Sequence, residues 1–224
     1  MPGPQPRGPI PQRPPRTPRG PFTQFDLALP SVSNIAFSAP GWIFEMKYDG
    51  HRCLSSRFES VQMISIEGRD IAEYFPQLVA ELQRLPAGTV LDGELLMVDE
   101  EGRPEYDRLL GQTAIARSGA VRGMEHQPAT LVCWDILMWG GEDLRAHPLL
   151  ARKAALGDLI RGMERIWYAG HVEEAGRKMY DEAEFLGLEG IVAKRADSRY
   201  TAGRTKDWLV IDTPTGLERE NGWR

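Results

Sequence analysis

Apolar residues recur along this chain with two different periods. Runs at 42–46, 52–58, 61–66, 89–98, 130–137, 190–194 and 207–211 are short, rich in Val, Ile, Leu and aromatic residues, and bounded by Gly, Asp, Asn or Ser, so they predict strands. Residues 149–160 and 172–186 place apolar side chains three and four apart, which predicts helices. Residues 76–85 open with Pro76, suited to a first helical turn, and predict a third helix. Strands follow strands before most of the helices arrive. That order predicts an α+β domain with largely antiparallel sheets flanked by helices, and argues against an alternating doubly wound fold.

The two ends break the pattern. Residues 1–21 are dense in Pro with Gly and Arg between, cannot supply a ladder or a core, and are expected to form an extended, disordered tail. Residues 22–212 are expected to be one globular domain, and residues 213–224 a polar C-terminal tail. Cys53 and Cys133 lie far apart without a CxxC pair, which argues against a disulfide framework or a thiolate zinc site. No apolar run approaches the ~20 residues of a membrane helix, and no signal peptide stands at the N-terminus, so no membrane partner and a cytoplasmic location are expected.

Charge changes the picture. The net charge is −5, yet residues 1–21 carry Arg7, Arg13, Arg16 and Arg19 and no acid, leaving about −9 on the rest. Bulk attraction toward nucleic-acid phosphates is therefore weak, and any contact with DNA requires a local basic groove.

The sequence contains neither G-x-x-x-x-G-K-[ST] nor a G-x-G-x-x-G after a strand, so the two common phosphate cradles are missing. Four short segments carry chemistry instead. Glu45-Met46-Lys47-Tyr48-Asp49-Gly50-His51-Arg52 sets an amine, carboxylates and a guanidinium around a glycine just beyond an apolar strand. Read blandly, Lys47 and Arg52 are solvated charges beside an Asp-Gly turn. Asp92-Gly93-Glu94 lies inside a strand, where Glu94 offers the hard oxygens magnesium prefers or else faces solvent next to a bulge at Gly93. Trp134 in Leu131-Val132-Cys133-Trp134-Asp135-Ile136-Leu137 is either a stacking platform or a core side chain. Glu189-Gly190-Ile191-Val192-Ala193-Lys194 brackets an apolar strand with opposite charges.

Together, in this order, these segments resemble the adenylation domain of bacterial-type ATP-dependent DNA ligases, and the resemblance runs from about residue 25 to residue 209. Smaller likenesses lie at Glu73-Tyr74-Phe75-Pro76-Gln77-Leu78, at Gly102-Arg103-Pro104 before Tyr106, and at Gly141-Glu142-Asp143-Leu144-Arg145. The resemblance implies a covalent nucleotidyltransferase fold. It also implies ATP and Mg2+ as cofactors, and Lys47 as the catalytic residue that carries AMP for nick joining in DNA repair or recombination. Glu45, Lys47, Arg52, Glu94, Trp134 and Lys194 are then the expected nucleotide-binding residues, and Glu94 and Glu189 the expected metal ligands. Nicked double-stranded DNA is the implied partner, with a separate DNA-binding protein or domain as helper. If the source is bacterial, the location is nucleoid-associated.

The chain departs from the family pattern in three places. Ile66 in Ser65-Ile66-Glu67-Gly68 stands where the family has an arginine for the 5′-phosphate. Trp208-Leu209-Val210-Ile211-Asp212 lacks both lysines of the family's last strand, so by strand parity a neutral group and an anion are expected to face the phosphates. The oligonucleotide-binding barrel that follows in the family is expected to be lacking. A catalytically degenerate nucleotide-binding module and an RNA end-processing transferase therefore stay open beside the ligase reading.

Overall fold

A computed structural model describes residues 22–23, 26–97 and 129–222. The expected tail over residues 1–21, the end of the strand expected to reach Val98, and the segment with Gly102, Arg103, Pro104 and Tyr106 lie outside the described residues.

Two sheets form the body. In the first, β1 (Ala28–Val32), β11 (Gly203–Asp212), β10 (Gly190–Arg195), β2 (Trp42–Met46) and β9 (His171–Glu173) lie side by side, antiparallel except for the parallel pairing of β1 with β11. The second runs β4 (Val61–Ser65), β3 (His51–Arg57), β5 (Thr89–Leu96), β6 (Thr130–Trp139), β7 (Glu142–Asp143), with β8 (Ile166–Tyr168) added parallel to β6. Helices α1 (Pro76–Leu82) and α2 (Leu149–Leu159) cover the second sheet, and α3 (Gly176–Phe185) covers the first. This is the predicted α+β arrangement.

Strand parity sorts the side chains into three apolar layers. Phe44, Ile191, Ala193 and Ile211 point outward from the first sheet against Met179 and Ala183 of α3. Cys53, Leu91, Leu95, Leu131 and Cys133 point outward from the second sheet toward Leu78, Leu82 and Leu156. Between the sheets, Ile43, Leu54, Val90, Leu137 and Trp208 join them. The alternate residues of the same strands, which include Glu45, Arg52, Asp92, Glu94, Val192 and Lys194, therefore share the inter-sheet side.

Three expectations change. The helix predicted over 172–186 begins only at Gly176, because His171–Glu173 pairs with β2 as an edge strand and Glu174 turns the chain with φ 59°. The polar stretch after Asp212 is a helix, α4 (Pro214–Gly222), not a tail. Its entry is fixed by Thr213, fully buried, whose Oγ1 donates to Leu188 O (2.5 Å) and accepts from Gly216 N (3.3 Å). A polar stretch of nine residues carries no apolar periodicity to mark this helix or its cap. Strand β1 was also missed, since Pro30 interrupts it; it survives as an edge strand with a register shift after that proline.

Gly50 has no room for a side chain. A Cβ there would run into the Leu95 carbonyl oxygen and lie 2.8 Å from Glu94 Cγ. Gly50→Ala is therefore expected to cost ~1–3 kcal/mol in urea unfolding and to displace β5 beneath it. An alanine variant as stable as the parent would show that this close approach can relax.

Candidate active site

The inter-sheet side opens into a cleft lined by Lys47, Arg52, Glu94, Trp134, Lys194 and Val210, with Glu45 and Trp208 at its floor. Each sequence-predicted nucleotide residue reaches it. Glu189 stands at one end, with its Oε2 3.5 Å from Lys47 Nζ.

Strand β2 delivers Glu45 and Lys47 by parity, and the Lys47 backbone N–H bonds to Gly190 O (2.9 Å), tying the Lys-Tyr-Asp-Gly turn to the start of β10. Lys47 Nζ donates to Asp212 Oδ1 at 2.6 Å, and its side chain is 18% exposed. It is not a free surface charge. Arg52 lies opposite Glu94 in the β3–β5 register and grips Asp92 through Nε (3.2 Å) and Nη2 (2.8 Å). Burial disfavours that guanidinium's charge, but Asp92 outweighs it and holds the group above its usual range. Asp92 also accepts from Tyr200 Oη (2.7 Å), so the carboxylate beneath Arg52 is bound from two sides.

Trp134 enters the cleft because of a bulge. In the β5–β6 ladder Asp92 faces Asp135 and Gly93 faces Cys133, which leaves Trp134 as the extra residue. The extra residue lies on the strand opposite Gly93, a correction to the sequence expectation. Gly93 permits it because a Cβ there would meet the Val132 carbonyl oxygen. A bulge re-aims a side chain, and the indole here faces the cleft with Arg52 Cζ 5.3 Å and Lys194 Nζ 5.1 Å from its ring centre. Its Nε1 is buried and, among the described residues, has no hydrogen-bond partner.

Glu45 is only 2% exposed, and two ammonium groups occupy it: Lys153 on Oε1 and Lys194 on Oε2, both at 2.6 Å. Burial works against this carboxylate, but the two lysines overcome it and hold the group below the usual carboxylate range. Burial lowers Lys194 from its ordinary value, Glu45 opposing, and the Trp208 ring lies 4.2 Å from its ammonium. Lys153 was not foreseen from sequence. It comes from α2, also donates to Ala169 O (3.0 Å), and its only local sign was a charged residue on a helix face that packs inward. Asp212 as the partner of Lys47, and Asp92 beneath Arg52, were likewise missed.

Glu94 has a different environment. Burial pushes its carboxyl up to about 8; Arg52 and a backbone hydrogen bond from Gly50 pull it down, while Glu189 and Asp49 add to the rise. When the folded value lies above the unfolded one, the folded state holds the extra proton between them, so stability falls as pH rises from about 4.5 to about 8. Glu94→Gln cannot ionise. In metal-free buffer it is expected to remove part of that fall, melting above the parent near pH 8 and losing that advantage toward pH 4. Parallel pH–stability curves for the two proteins would sink this assignment.

Two sheets closing over a lysine, with carboxylates at one end and an indole on the wall, define a nucleotide-binding domain of the nucleotidyltransferase class. A sequence model of the "ATP dependent DNA ligase domain" matches residues 28–211. The chain belongs to the ATP-dependent DNA ligase family. It is 36% identical over 189 residues to the "Multifunctional non-homologous end joining protein LigD" of Pseudomonas aeruginosa, covering 81% of this chain and 21% of that protein. It is 29% identical over 180 residues to "DNA ligase C" of Mycobacterium tuberculosis, covering 74% and 50% respectively. Among solved structures, "mycobacterial DNA ligase D complexed with ATP and MES" superposes with a TM-score of 0.68 at 26% identity, over 84% of this chain and 61% of that one. The chain thus spans about a fifth to a half of these two curated relatives. Among the described residues no helix is long and apolar enough to cross a membrane.

Proposed function

We propose that this domain uses ATP to load AMP onto Lys47 and passes it to the 5′-phosphate of nicked double-stranded DNA. The observation that carries this reading is the meeting at one cleft of Lys47, from the turn just after β2, with Trp134, Glu94 and Lys194, from three other strands. Lys47 Nζ first loses one proton to solvent and the neutral amine attacks the α-phosphorus; an N–P bond forms as the bond to the bridging oxygen breaks, pyrophosphate leaves with the electron pair, and a second proton passes from the nitrogen to solvent. Trp134 offers a face for adenine, and its Nε1, without a partner among the described residues, a donor for a polar atom of the nucleotide. Lys194 and Arg52 bring positive charge to the phosphates, with Glu45 fixing Lys194.

Glu94 and Glu189 fit a magnesium ion. Their charges interact, and Glu94 sits buried at a raised value that a cation would reverse. Among the described residues no group of three or more protein ligands converges there, so the remaining ligands would be water and phosphate, as magnesium prefers. Held there, the ion would neutralise charge on the phosphates. A separate DNA-binding protein or domain assists at the nick, and the setting is the cytoplasm, at the nucleoid in a bacterium.

One observation favours a second reading, a nucleotide-binding module without transfer: Asp212 occupies Lys47, and Val210 adds no cation to the cleft wall. Intact mass decides between them. Incubation with ATP and magnesium is expected to add one AMP, and nicked duplex, unlike intact duplex, to discharge it. Binding of ATP without an adduct would leave the module reading.

A further inference from the structure

We propose that Asp212 restrains Lys47, slowing the loading of AMP by holding its amine in place and by facing the incoming phosphates with a negative charge. This inference rests on the lysyl-AMP reading above.

Both partners are anchored. Asp212 lies opposite Gly190 in the β10–β11 register, and its carbonyl accepts from Tyr180 Oη (3.4 Å). The Lys47 backbone N–H bonds to that same Gly190. The 2.6 Å contact therefore joins two fixed backbones, and the Asp212 side chain is only 6% exposed, so water screens it little. Glu189, from the turn before β10, adds a second carboxylate 3.5 Å from Nζ. On the opposing side, Lys194 is bound to Glu45 and Arg52 to Asp92.

For transfer, the Nζ–P bond can form only when Nζ turns from Asp212 toward the α-phosphorus. The ammonium of the pair must first give one proton to solvent, because only the neutral amine has a lone pair to attack with; as the N–P bond then forms, the bond to pyrophosphate breaks and a second proton leaves Nζ for solvent. A charge-assisted hydrogen bond present before attack and absent at the transition state stabilises only the ground state, so it slows the step. Repulsion between Asp212 and the triphosphate acts in the same direction.

Asp212→Asn keeps the shape and removes the charge. Under single-turnover conditions with ATP and magnesium, it is expected to form the AMP adduct about tenfold or more faster than the parent, and to bind a non-hydrolysable ATP analogue more tightly. Asp212→Glu, which keeps the charge, should fall nearer the parent than the asparagine variant in both measurements. Thermal melts of all three proteins exclude misfolding. A faster adduct in the asparagine variant supports the restraint, as does an adduct seen only in that variant. If the parent forms the adduct and Asp212→Asn forms it no faster, Asp212 is a mere anchor and the restraint is wrong while lysyl transfer stands. If both proteins bind the analogue and neither forms an adduct, both readings fall together.

Discussion

Lys47→Ala is expected to abolish the AMP adduct completely while leaving binding of an ATP analogue within a few-fold of the parent. Alanine removes the nucleophile, and among the described residues no neighbouring lysine is placed to take over. Lys194 is 2% exposed and bound to Glu45, and Lys153 is 1% exposed and bound to the same carboxylate. Analogue binding survives because Trp134, Arg52 and Lys194 still line the cleft. Alanine also removes the 2.6 Å partner of Asp212, so its melting temperature alone cannot separate chemistry from structure. Lys47→Arg answers that objection. A guanidinium can keep the ion pair with Asp212 but cannot lose its proton at working pH, so the arginine variant is expected to melt close to the parent and still form no adduct. An adduct on either variant, located on a different lysine by peptide mapping, would show that Lys47 is not the residue that carries AMP.

Removing one partner of the Asp135–Arg152 pair is expected to destabilise the fold by ~3–5 kcal/mol in urea. For a domain of this size that is a melting temperature lower by on the order of 10 °C. Both side chains are fully buried, and the guanidinium contacts the carboxylate through Nε (2.8 Å) and Nη2 (2.7 Å). Nη1 also donates to His147 O (2.5 Å) and Ser198 O (2.9 Å), so one arginine joins β6, the start of α2 and the connection from β10 to β11. Burial raises the Asp135 carboxyl above its usual value, and Arg152 opposes that rise. Asp135→Leu or Arg152→Met leaves a buried group without its counter-charge. The double substitution removes both charges and is expected to regain much of the loss, because the desolvation cost of the pair disappears with it. Single variants within ~1 kcal/mol of the parent would show that water reaches this site.

Much of the architecture could be read from the order of residues. Alternation in short apolar runs located the central strands, and the same alternation put Glu45 with Lys47, and Val192 with Lys194, on shared faces. Those are properties of a pleated backbone with a period of two, so a few consecutive residues carry the whole signal. The family segments added which of those faces meet. Boundaries were less legible where a polar residue did tertiary work, as at Thr213, whose hydroxyl caps α4 only because Leu188 O lies beside it.

What only the tertiary structure decided is how the charges pair. Lys153 reaches Glu45 from 108 residues away, and Asp212 reaches Lys47 from 165 residues away. Trp134 faces the cleft because β5 and β6 shift by one residue at Gly93. Lysine and aspartate look alike to a pattern reader whether they are solvated or locked together. Their roles depend on the register between strands distant in sequence and on the dielectric of the place where they meet, and neither quantity exists until the two sheets have closed.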